Sequence, residues 1–320
     1  MVRIAFFGTP AFAVPSLERL IAAGEQVVTA VTQPDRRRGR GQRLQPSPVK
    51  TAALAHDIPL LQPTRAGDPV FAAALASCSV DLGVVAAYGK LLPDAILHTP
   101  RHGTINVHAS LLPRYRGAAP IHRAIIAGER ETGITMIRLV REMDAGPMLA
   151  RTVRAIADDE TSDVVERALA ELGATLLVST VRQIASGQAE EQPQDHALAT
   201  FAPRLTRDDG RIDWTRPAQA IHNLVRGLHP WPHAFSFLAG ARYLILRTEV
   251  AHPSGPDATH ASGEIIEARG DRLRVGCGDG PVLAIHVIQP EGRRRLSTRA
   301  FLAGHPIDLP ASLQSSSATA

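Results

Sequence analysis

No stretch of this 320-residue chain approaches the roughly 18 consecutive apolar residues of a membrane span. Nor does it open on a charged-then-apolar leader, because Met1 runs directly into "VRIAFFG". A soluble, cytoplasmic protein is expected. Cysteine is scarce: Cys78 and Cys277 stand far apart with no C-x-x-C pair, as two reduced thiols in the cytosol would. The turn after the first apolar run reads "GTPAFA" and lacks G-x-G-x-x-G, which argues against a nicotinamide enzyme. There is no G-x-x-x-x-G-K-[ST] phosphate loop, no H-E-x-x-H, and no G-x-S-x-G nucleophile elbow. A zinc centre is therefore not expected.

What is present is patterning for two folded domains. The length exceeds one average core, and apolar residues make up 44% of the chain. "RIAFFG" and "VDLGVVAAY" read as buried strands, and "QVVTAVT", "GTINVHA" and "TGITMIRLV" as further strands. Helical stretches fall between them: Val14–Ala23, Val49–Ala55, "VFAAALASC", and "PIHRAIIAG" opened by Pro120. Residues 161–186 are periodic enough for one long helix. This alternation predicts an α/β domain, a twisted and mostly parallel sheet with helices on both faces. Beyond it, "GQAEEQPQDHALATFAPRL" is polar and aperiodic and reads as a linker. Short apolar pieces split by Gly and Pro follow, suggesting a small β-barrel or sandwich. We therefore divide the chain into 1–189, a linker at 190–206, a second domain at 207–310, and a disordered tail at 311–320.

Charge is unevenly spread. The net charge is only +4, yet 34–50, "PDRRRGRGQRLQPSPVK", sets Arg36, Arg37, Arg38, Arg40, Arg43 and Lys50 against Asp35. Such a block is either a solvated, mobile loop or a grip for phosphates.

The chemistry-bearing stretch is "INVHASLLPRYRGAAP". On a strand, Asn106 and His108 point the same way, about 6.5–7 Å apart along it. They sit where strand gives way to loop, the edge at which open α/β sheets bind ligands. An amide can stabilise a developing oxyanion and an imidazole can move a proton, which suits attack on a carbonyl carbon and departure of an amine. The plainer reading is a strand-end Asn capping a turn beside a satisfied His. Asp144, in the turn "MDAGPML", is the best candidate for a carboxylate partner, or simply a turn-former. Ser110, Leu111, Leu112 and Pro113 are either an ordinary loop or a rigid wall whose backbone groups read the edge of a flat heterocycle.

These motifs together resemble the folate-dependent formyltransferases. The similarity rests on "NVHASLLPRYRGAAP" with "MDAGPML" downstream. It extends through "FFGTPAFAVPSL", "TQPDRRRGRG", "YGKLLP" and "DGRIDWTRPAQAIHNLVRGLHPWPHAF", covering about residues 2–310. The resemblance implies a Rossmann-like formyltransferase fold followed by a small OB-like β-barrel. It also implies formyl transfer from 10-formyltetrahydrofolate to the methionine of initiator methionyl-tRNA for translation initiation, by a monomer and without a metal. Carried over residue by residue, it makes Asn106, His108 and Asp144 catalytic and Ser110, Leu111, Leu112 and Pro113 the folate-binding segment. It makes Arg40, within "GRG", the position in the basic loop that holds the acceptor end of the tRNA, and Arg36, Arg37, Arg38 and Arg43 of the same loop are expected to bind tRNA with it. Residues 207–320 hold 13 Arg and no Lys against 11 acids, a weak footprint for RNA, with Arg293–Arg294–Arg295 its best patch. The alternatives are a formyltransferase for a small sugar amine, and a non-catalytic folate- or RNA-binding relative.

Overall fold

The computed structural model describes residues 2–38, 41, 43–251 and 260–317. By internal contacts it falls into two units: Met1–Pro120, Glu131–Ala155 and Glu166–Pro203; then Ile121–Arg130, Ile156–Val165 and Arg204–Ala320.

The first unit is built on seven strands: β1 (Arg3–Gly8), β2 (Gln26–Val31), β3 (Leu60–Leu61), β4 (Leu82–Ala86), β5 (Thr104–His108), β6 (Glu131–Arg138) and β7 (Met148–Ala155). Their order across the sheet is β7-β6-β5-β4-β1-β2-β3. From β3 to β5 every pairing is parallel, and β6 runs antiparallel to both of its neighbours. The central strands are continuous apolar runs because helices cover both faces; every residue of β4 is buried. β7 lies at the edge and alternates, with Arg151 exposed. It has no apolar run to mark it in the sequence. The long helix Ser162–Ala185 matches the periodicity of 161–186.

In the basic stretch, Arg36–Arg38 pairs with Arg43–Gln45 as a two-stranded hairpin. One reading of the first unit needs correction. The stretch read as a linker is packed. Gln192 and Met148 exchange both backbone hydrogen bonds at 2.8 Å, and Phe201–Ala202 pairs with Arg116–Gly117. Its polar composition serves buried hydrogen bonding as well as solvent.

The second unit carries an antiparallel sheet of β8 (Ala234–Leu238), β9 (Ala241–Ala251), β10 (Ile265–Arg269), β11 (Arg272–Gly276), β12 (Val282–Pro290) and β13 (Leu296–Ser297). The order is β8-β9-β12-β11-β10, with β13 on β12. The helix Ala218–Gly227 turns Ala218, Ile221 and Val225 toward its core, a 3.6-residue period. Residues 121–130 and 156–165 pack here too. Arg123 pairs with Asp209 at 2.8 Å, His122 Nδ1 bonds the Gly227 carbonyl at 3.0 Å, and Arg226 donates to the carbonyls of Ala157 and Glu160.

The tail read as disordered from 311 is ordered through 317, and residues 318–320 lie outside the described residues. Ile265 N–H donates to Ala311 O and Leu313 N–H to Gly263 O, each at 2.8 Å, while Gln314 and Phe237 exchange a pair of bonds. Residues 311–314 thus join the outer strand β8 to the start of the opposite outer strand, β10, and close the sheet. Gly263, at φ 84°, leaves room for the approach: a Cβ there would lie 2.3 Å from the Leu313 carbonyl oxygen. Leu313 is buried in the core, and Trp214 Nε1–H donates to Ser236 Oγ, which donates to Gln314 O.

Candidate active site

β5 delivers two of the candidate groups. Ile105 and Val107 are buried, while Asn106 and His108 share the opposite pleat face at the strand's carboxyl end. Across β6, Asn106 lies opposite Ile137 and His108 opposite Thr135. The side-chain amide of Asn106 has no hydrogen-bond partner among the described residues and is only partly buried. It is free to bind something else. His108 is 5% exposed, and its Nε2 bonds the Tyr115 carbonyl at 3.0 Å. A carbonyl only accepts, so Nε2 carries a hydrogen there.

The third group arrives from the turn after β6. Asp144 Oδ1 lies 3.6 Å from His108 Nδ1, and its side chain is 12% exposed. The contact is longer than a hydrogen bond, and it is an ion pair only when the ring carries both of its protons. The turn is tight: a Cβ on Gly146 would lie 1.9 Å from the Arg138 carbonyl oxygen. Asp144 itself holds φ 51°, a left-handed conformation costing a non-glycine residue about 1 kcal/mol or more. Hydrogen bonds offset that cost. Gly117 N–H donates to Asp144 Oδ2 at 2.8 Å, and Gln194 Nε2 donates to the carbonyls of Asp144 (2.8 Å) and Gly146 (2.7 Å). The Gln194 oxygen accepts from Arg116 Nε at 3.1 Å and Nη2 at 2.6 Å, and both residues are 5% exposed. Gln194 has no sequence signal, and Arg116 lies inside "NVHASLLPRYRGAAP" with nothing to mark its partner, since a buried polar pair 78 positions apart leaves no periodicity.

The wall at Ser110–Pro113 is held by Thr135. Its hydroxyl donates to Ser110 O at 2.7 Å and accepts from Leu112 N–H at 3.2 Å. Ser110 Oγ donates to Arg114 O at 2.7 Å, and Arg114 N–H to Leu111 O. Leu112 is buried. The backbone groups of this segment are therefore less free than the sequence implies. Those without a partner among the described residues are the N–H groups of Ser110 and Leu111 and the carbonyls of Leu112 and Pro113.

In the basic hairpin, Arg36, Arg37 and Arg43 are exposed, Arg38 pairs its backbone with Arg43, and Arg40 lies outside the described residues. The hairpin's base is fastened to the sheet. Lys50 Nζ bonds Asp35 Oδ2 at 2.7 Å and Gln62 Oε1 at 3.0 Å, and Gln62 donates to Asp35 Oδ1. These bonds, Lys50's first and Gln62's second, hold the Asp35 carboxyl below its ordinary value. Gln33 accepts from Arg36 at 2.6 Å and donates to the Tyr88 carbonyl at 2.9 Å.

The chain is similar to known proteins along most of its length. Residues 2–181 match the formyl transferase family and residues 204–306 the formyl transferase C-terminal domain. A methionyl-tRNA formyltransferase of Thiobacillus denitrificans is 47% identical over 306 residues, spanning 96% of this chain and 97% of that one. One from Heliobacterium modesticaldum is 46% identical over 311 residues, spanning 96% and 98%. Among solved structures, an N-formyltransferase from Helicobacter canadensis in complex with folinic acid and dTDP-3-aminofucose superposes with a TM-score of 0.67. It covers 89% of this chain and 99% of that one at 15% identity, a likeness of fold alone. With both parts of the chain matched and nearly half of its residues shared with full-length relatives, the chain belongs to the formyl transferase family, among the methionyl-tRNA formyltransferases.

Proposed function

We propose that the protein transfers the formyl group of 10-formyltetrahydrofolate to the α-amine of methionine on initiator methionyl-tRNA, in the cytoplasm and as a monomer. The observation that carries the reading is the approach of Asp144 to His108, beside the unpartnered amide of Asn106. It stands in a chain 47% identical to a methionyl-tRNA formyltransferase.

The residues present fit a folate co-substrate. Leu111 N–H and the Pro113 carbonyl, on residues that are only partly buried, offer a donor and an acceptor to the edge of a flat heterocycle, on a segment that Thr135 holds. The free α-amine titrates at about 7.7–8.0, and its ester lowers that further, so neutral amine is available near pH 7. The amine attacks the formyl carbon and the carbonyl oxygen becomes an oxyanion. Asn106 donates its amide hydrogen to that oxygen. Nε2–H of His108, held by the Tyr115 carbonyl in the free protein, is redirected to it. Asp144 faces Nδ1, the partner a protonated ring requires, and accepts the proton the amine loses, directly or through a water. Collapse of the adduct breaks the bond to N10, which takes a proton from His108, and formyl-methionyl-tRNA leaves. Arg36, Arg37, Arg38, Arg40 and Arg43 hold RNA phosphates, and in the second unit Arg293, Arg294 and Arg295, all exposed, are a separate candidate patch for phosphate.

The test is a transfer assay with purified protein and 10-formyltetrahydrofolate, offering methionyl-tRNA or a nucleotide-linked amino sugar. Formylation of methionyl-tRNA alone is the expected result. Formylation of the sugar instead would replace the acceptor, and no transfer to either would overturn the reading.

A further inference from the structure

We propose that Gln194 is a positioning residue for formyl transfer, acting by fixing the Asp144 turn so that its carboxylate is held against His108; the inference rests on the role given to Asp144 above. Gln194 lies in a polar stretch of no recognisable pattern, yet it is 5% exposed and every polar atom of its side chain is used. Its nitrogen spans the turn, donating to the carbonyls on either side of Ala145, those of Asp144 and Gly146. A single amide thereby holds the one non-glycine residue of that turn in left-handed backbone.

The orientation of the amide is set by its neighbours. Arg116 can only donate and the two carbonyls can only accept, so the oxygen must face the guanidinium and the nitrogen the turn. Two charge-assisted bonds at the oxygen polarise the amide and strengthen its N–H donors, as in any chain of linked hydrogen bonds. Arg116 also precedes Gly117, whose N–H holds the second Asp144 oxygen. Backbone and carboxylate of Asp144 are therefore fixed from a common origin. Gln194 is itself anchored two residues earlier, where Gln192 pairs with Met148 at the start of the edge strand β7.

Gln194→Glu tests this in the full-length protein. The substitution preserves size and the pairing with Arg116 but places an acceptor against two carbonyls. Misplacing a catalytic group by about 1 Å can cost about 10²-fold, so kcat should fall by that order while KM for donor and methionyl-tRNA stays within about twofold. In an Asp144→Ala background the same substitution should cost nothing more, because a residue acting through Asp144 has nothing left to position. Wild-type kcat in Gln194→Glu, or a loss that multiplies with that of Asp144→Ala, would overturn the proposal. Asp144→Ala measured alone separates the two readings: near-full kcat there would remove the role of Asp144 and this inference with it. A large loss there, with Gln194→Glu unaffected, removes only this inference. Should Gln194→Glu not fold, Gln194→Met, neutral and of similar volume, is read by the same criteria.

Discussion

At the scale of single residues, chemistry depends on which polar groups the fold has left uncommitted. Gly117 and His108 engage Asp144, and Tyr115 engages His108, but nothing among the described residues engages the Asn106 amide. A group of this kind, aimed at a developing oxyanion, is worth about 10²–10³ in rate. Asn106→Ala should therefore lower kcat by that order and leave thermal unfolding nearly unchanged, since no internal bond is lost. Asp144→Asn separates charge from shape. Its amide oxygen can still accept from Gly117, so the turn should fold, yet turnover should drop sharply because no anion faces the imidazole. An Asn variant with most of its kcat intact in the transfer assay would show that Asp144 only shapes the turn.

At the scale of elements, the basic hairpin is where electrostatics should be measurable. Each RNA phosphate contacted contributes about −0.7 to the slope of log affinity against log salt for single-stranded sites. Replacing Arg36, Arg37 and Arg43 together by Ala should reduce that slope by about 2 units for methionyl-tRNA. An unaltered slope over a salt series would mean that the hairpin does not touch phosphate. The clasp at its base has its own pH dependence. Lys50 and then Gln62 depress the Asp35 carboxyl, so its folded value lies below its unfolded one. The clasp's contribution is then complete above about pH 3.9, the ordinary aspartate value, and is lost only as pH falls through the lower folded value. Lys50→Met should shift the Asp35 titration back upward, as followed by carboxyl NMR; no movement would leave Lys50 without that role.

At the scale of the whole molecule, each unit is completed by a segment that looks unstructured. In the second unit that segment is 311–314, which links the outer strands, with Leu313 buried at 4% exposure. Leu313→Ala should destabilise by about 2–5 kcal/mol in denaturant unfolding, the usual range for a buried leucine. A change near zero would mean the closing strand is dispensable. In the first unit the packed segment is 192–202, from the Gln192–Met148 pair to the Phe201–Ala202 strand.

Much of the frame that carries the candidate site is legible in the residues themselves. Ile4–Phe7 and Leu82–Ala86 read as strands because a strand covered on both faces must be apolar throughout. Asn106 and His108 share a face because the pleat repeats every two residues. These are local rules, and any local window reveals them. The edge strand β7 is harder to see, being half solvated. The partnership of Asp144, Gly117, Gln194 and Arg116 spans up to 78 positions and joins polar groups that follow no period. The same holds for Leu313, the one large apolar residue in a Ser- and Ala-rich tail. Sequence alone determined where apolar surface must be buried and which reactive groups one strand presents together. Tertiary structure alone decided which distant polar groups meet and which open sheet edges are closed, because a hydrogen bond is specified by position in space and not by spacing along the chain.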